Sequence, residues 1–85
     1  MKISTRVGVL GKDQRKIIRQ ICKLIKQYYP SEPEFIVTYP EERGGAINIV
    51  QLKEVARFRP ISNEELELNI VNHEPIKIKM NKNLF

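Results

Sequence analysis

The sequence predicts an α+β domain: one amphipathic helix packed on a mostly antiparallel sheet of about four to five strands, in the order β-α-β-β-β-β. Three observations carry this expectation. Residues 14–29 repeat their apolar side chains at the helical period, and no other segment does so clearly. Segments near both ends of the chain alternate apolar and polar residues at the period of a half-buried strand. Glycine, proline and asparagine clusters separate the periodic segments. With 85 residues the chain is sized for one domain, placed at residues 1–80, with residues 81–85 expected as a short flexible C-terminal tail.

The first strand is read over residues 2–10, where Ile3, Thr5, Val7 and Val9 fall on one face. Gly11 ends it, and Asp13 is expected to cap the helix, because its carboxylate can accept from the free amides of the first turn. In the helix, Ile17, Ile18, Ile21, Cys22, Leu24, Ile25, Tyr28 and Tyr29 fill one side, and Pro30 and Pro33 stop it. Phe35 to Tyr39 form a β-branched and aromatic strand closed by Pro40. Glu41 to Gly45 read as a turn whose paired glycines permit positive φ, and Ala46 to Leu52 as the returning strand. Residues 53–59 break the alternation and read as a continuation of that strand or a bend, with a helical turn as the alternative. Ser62 to Glu65 suit a turn or a capped helical turn.

The C-terminal hairpin combines two signals. Leu66, Leu68 and Ile70 alternate with Glu65, Glu67 and Asn69, and Ile76, Ile78 and Met80 alternate with Lys77 and Lys79. One strand therefore shows glutamates on its wet face and the other lysines, and pairing them is expected to make favourable cross-strand ion pairs.

Composition narrows the classes of function. Cys22 stands alone, so there is no intramolecular disulfide, and no Cys/His cluster has zinc spacing. His73 is the only histidine and Asp13 the only aspartate, which gives little material for a two-metal acidic centre. The N-terminus reads as a strand rather than an apolar signal, and no apolar run is long enough to span a bilayer, so a cytoplasmic, membrane-free protein is expected. A chain this small has a modest core, and a homodimer would bury more surface.

The net charge of +5 is unevenly placed. Residues 1–30 carry eight Lys and Arg against Asp13 alone, so +7, while residues 31–60 and 61–85 each sum to −1. Lys12, Arg15, Lys16, Arg19, Lys23 and Lys26 gather within about 100° of arc opposite the apolar side of the helix. Clustered Lys and Arg recognise phosphate backbones by displacing counterions. A solvated helix exterior also favours Lys and Arg, but it usually mixes signs, and this one has no glutamate. Arg6, Arg57 and Arg59 would extend the patch if the fold brings them near.

Other candidates are weaker. Gly8-Val9-Leu10-Gly11-Lys12-Asp13 joins a strand to a helix, but it is two residues short of a nucleotide P-loop between its glycines, and Asp13 stands where that loop needs Ser or Thr. It reads as an ordinary capped turn. Cys22 lies on the apolar side of the helix as a small core residue, and His73 in a turn. Glu41-Glu42 and Glu64-Glu65 fall in turns and supply no convergent acid and base. Among the aromatic residues, Tyr39 is the one expected to be exposed for stacking on a base.

The reading is a small non-enzymatic nucleic-acid-binding module without cofactor or metal, with RNA slightly preferred because no recognition-helix pair or zinc-finger pattern is present. The alternative is a protein-interaction module, such as a small inhibitor or accessory subunit, that binds an acidic protein patch or adds an edge strand to a partner. A metal-free ribonuclease is a third reading, without a motif to carry it.

Overall fold

A computed structural model describes residues 1–41 and 44–85. The elements run β1 (Lys2–Val7), α1 (Lys12–Lys26), β2 (Glu34–Glu41), β3 (Gly44–Ile49), β4 (Glu54–Pro60), β5 (Glu65–Ile70) and β6 (Ile76–Lys79). The strands form one sheet in the order β1-β2-β3-β4-β5-β6. The helix crosses between β1 and β2, which are parallel, and the remaining strands form an antiparallel meander. The α+β class and the single helix after the first strand are those the sequence predicts, but five strands rather than four follow the helix, giving six in all rather than four to five.

The additional strand comes from residues 53–59. The chain leaves Ile49, turns back through Leu52 at φ +61°, and returns as β4. The Ile49 amide donates to the Lys53 carbonyl, and the Leu52 amide to the Ile49 carbonyl. Asn48 pairs with Glu54 and Ile47 with Ala56, so Val55 is an inserted residue. Val55 and Ala56 are consequently both buried, which erases the period-two pattern at that point.

Strand alternation sorts the sheet into two faces. Phe35, Val37, Ile47, Phe58, Leu66, Leu68 and Ile78 join Ile18, Ile21, Cys22 and Ile25 of the helix in one buried core. The opposite face is uncovered and carries Ser4, Glu34, Arg57, Arg59, Glu67 and Lys77. Ser4 donates there to the Glu34 carboxylate.

The helix occupies 12–26 rather than 14–29. Gly11, not Asp13, is the N-cap; its amide donates to Gln14 Oε1 at 2.7 Å. Asp13 instead lies in the first turn, where its charge suits the positive end of the helix dipole. At the other end, Tyr28 and Tyr29 follow the helix in a turn that donates to the Ile25 carbonyl.

β1 is shorter than expected. Val7 has φ +81°, turns the chain out of the strand, and is exposed together with Val9. Leu10 fills the core position those valines were expected to take. The turn expected at 41–45 includes Glu42 and Arg43, which lie outside the described residues. Gly44 does adopt positive φ, +100°, and a Cβ there would stand 2.0 Å from the Phe58 carbonyl oxygen. Gly45 is equally confined: its Cβ would meet the Phe58 ring at 2.6 Å. Both glycines therefore allow β3 and β4 to approach.

Ser62 to Glu65 form a turn, with the Ser62 hydroxyl accepting from the amides of Glu64 and Glu65. The segment 81–85, expected as a mobile tail, folds back on the domain. Leu84 and Phe85 pack against the core, and the Phe85 ring meets Tyr39 at 5.4 Å and Phe58 at 5.2 Å between centroids.

Candidate nucleic-acid interface

Helix α1 buries Ile18, Ile21, Cys22 and Ile25 against the sheet. That fixes the rotation of the helix, so its other side faces outward. Lys12, Arg15, Lys16, Arg19 and Lys23 are all exposed on that side, and Lys26 is half-buried. Lys26 Nζ donates to the Glu32 carbonyl at 2.6 Å, a neutral acceptor that leaves its charge uncompensated. The structure thus brings the six helix residues together along a surface about 22 Å long.

Their pairing state distinguishes them from Arg57, Arg59 and Lys82, while Lys2, Arg6, Lys53, Lys77 and Lys79 are likewise without an ion pair among the described residues. Among the described residues, none of these six side chains forms an ion pair, whereas Arg57, Arg59 and Lys82 all do. Arg57 is held by Glu54 at 2.8 Å and by Glu41 at 3.3 Å, and these partners, Glu54 foremost, raise its pKa further. Arg59 meets Glu67 at 3.2 Å.

Arg6, Arg57 and Arg59 do not extend the helix surface. Strand alternation places them on the uncovered sheet face, opposite the helix. The extension comes instead from the C-terminal segment. Lys82 borders a recess with Lys16, Gln20 and Asp13, and it pairs with Asp13 at 3.4 Å. Nothing in the sequence pattern marks Lys82, because its approach depends on the chain folding back after β6.

The cationic side is not centred over the helix. Arg15 and Arg19 line a groove of about 290 Å³ between α1 and β1, whose floor is Ile3, Thr5, Leu10 and Ile18. A second recess, of about 330 Å³, adjoins it through Ile3 and Arg19 and is bordered by Lys23. Guanidinium groups therefore rim an apolar-floored channel along one edge of the sheet.

Comparison of the chain with protein-family models, with curated proteins and with solved structures finds no match.

The remaining candidates have structural roles. Burial pushes the Cys22 thiol up to about 12, so it stays protonated at neutral pH and is a poor nucleophile. His73 stacks on Tyr28 with centroids 3.9 Å apart, at the helix C-terminal end. Tyr39 is not free for base stacking: it is half-buried, covered by Phe85, and its hydroxyl accepts from Gln14 Nε2 at 3.3 Å. Phe35 and Phe58 lie in the core, so the uncovered sheet face offers no aromatic platform from them. Among the described residues there is no group of three His, Cys, Asp or Glu placed to hold a metal ion, and no helix long and apolar enough to cross a membrane.

Proposed function

We propose that the protein binds nucleic acid through the outward face of α1, with Lys12, Arg15, Lys16, Arg19, Lys23 and Lys26 contacting phosphates. One observation carries this reading: six cations gathered on one helix face have no carboxylate partners among the described residues, while Arg57 and Arg59 on the sheet are neutralised in place. Unpaired cations on one surface are free to neutralise phosphates, and the cations condensed on the polyanion are then released, which drives association. The lack of exposed sheet aromatics favours backbone contact over base reading, so little sequence preference is expected. No chemistry beyond binding is needed to account for these residues, and RNA keeps its slight preference over DNA.

The test is fluorescence anisotropy with short single- and double-stranded RNA and DNA at about 50 and 200 mM salt. Contact with four phosphates gives a log–log salt slope of about −3 to −4. The triple variant Arg15→Glu/Arg19→Glu/Lys23→Glu should lose binding while remaining folded by circular dichroism. Arg57→Glu/Arg59→Glu should bind like the wild type. Absence of binding at low salt, or equal sensitivity to both variants, would remove the helix face from this role.

A further inference from the structure

β1 is an edge strand that pairs with β2 alone. The Lys2 amide donates to the Pro33 carbonyl, and this fixes the parity of the parallel ladder. Lys2, Ser4 and Arg6 turn their backbone groups toward β2, so Ile3 and Thr5 present their N–H and C=O groups to the free edge. The side chains of the same two residues line the groove against α1. Unpaired backbone and cation-rimmed groove therefore coincide.

We propose that this edge is a docking site for an extended acidic peptide, which adds as a further strand beside β1 and sets its carboxylates against Arg15, Arg19 and Lys23. Residues of the incoming strand opposite Ile3 and Thr5 project to the helix side, into the groove. Residues between them project to the uncovered face, where Lys2 and Arg6 flank Ser4. Both sides of the added strand thus meet positive charge.

Charge also decides against the other occupants. A second copy would bring its own Arg15, Arg19 and Lys23 against this rim in any register and, paired antiparallel about Ser4, would also set Lys2 against its Arg6; like charges so placed destabilise a strand pair. An apolar strand could cover Ile3, Leu10 and Ile18 but would leave the arginines unmatched. A deoxyribose–phosphate chain satisfies the arginines but has no donor for the edge carbonyls of Ile3 and Thr5, and the 2′-hydroxyls of RNA do not reproduce the alternating N–H and C=O groups of a strand edge. The proposal goes beyond nucleic-acid binding, since it rests on the backbone of β1, which that reading does not use.

The probe is a capped peptide of alternating glutamate and threonine. Two further versions carry N-methyl groups on one or the other alternate set of amides, and a fourth replaces glutamate with lysine. Binding is followed by anisotropy, and amide exchange at Ile3 and Thr5 by NMR. The glutamate peptide should bind saturably and slow exchange at both amides. Methylating one alternate set should weaken binding by at least about tenfold while methylating the other set spares it. The lysine peptide and the Arg15→Glu/Arg19→Glu protein should both fail to bind. Equal affinity of the two methylated peptides would overturn the proposal, because it reduces the contact to charge alone. So would an oligonucleotide that slows exchange at Ile3 and Thr5 when the peptide does not. The methylated peptides need no protein variant, and a failure of oligonucleotide binding leaves the peptide result standing.

Discussion

Asn69 Nδ2 and Arg59 both donate to the Glu67 carboxylate, at 3.0 and 3.2 Å, and Lys77 stands opposite it on β6. The Asn69 hydrogen bond foremost, then Arg59 and Lys77, hold the Glu67 pKa below the usual glutamate value. A carboxyl whose folded pKa is depressed adds stability above its unfolded pKa and loses it as pH falls through the folded value. Asn69→Ala should therefore move the Glu67 midpoint upward in an NMR titration of its side chain, and an unchanged midpoint would show that this bond does not form in solution. The sequence made the register of this hairpin legible, since Glu65 does stand against Lys79 and Glu67 against Lys77, but neither pair closes into the expected ion pair. It did not reveal that the ion pair of Glu67 runs to Arg59, because β4 could not be placed beside β5 from periodicity alone.

The helix and the C-terminal hairpin were legible because charge and apolar periodicity agree along each of them. β4 was not, for a specific reason: the bulge at Val55 buries two consecutive residues. The return of the last residues was equally hidden. No local pattern announces that Phe85 will close over Tyr39 and Phe58, or that Gln14 Nε2 will donate to the Leu84 carbonyl. This contact ties the start of α1 to the end of the chain, so it braces an element as well as covering two rings. Phe85→Ala should lower the unfolding free energy by about 1–3 kcal/mol, below the usual cost for a fully buried ring because Phe85 is half-buried. Urea denaturation measures it, and an unshifted midpoint would mean that the segment does not pack.

Taken as a body, the protein is electrically two-sided. One side is a helix of unpaired cations, and the other is a sheet face on which Arg57 and Arg59 meet glutamates. Among the described residues of β1 and β4 on that face, only Lys2 and Arg6, at the β1 edge, carry charge as free as the helix's. The cationic helix face was readable from the sequence because all six residues belong to one element. Its borders were not, since Arg6, Arg57 and Arg59 lie across the sheet while Lys82 lies near. The topology also has a consequence in time. Strands β2 to β6 are each joined to the next by a short connection, whereas β1 must find β2 across the whole helix, with Lys2 facing Glu34. Local hairpins close early and cheaply, and the distant parallel pair closes late. The β1–α1 unit is then the part most readily released from a meander that stays assembled, and its ladder amides at Ser4 and Arg6 should exchange with solvent before those of β3 and β4 under native conditions. Exchange that is uniform across the sheet would contradict this order. If the order holds, the groove beside β1 is walled by the portion of the molecule that opens first, and a ligand seated there acts as a latch: occupancy is reported by the rate at which the first strand detaches.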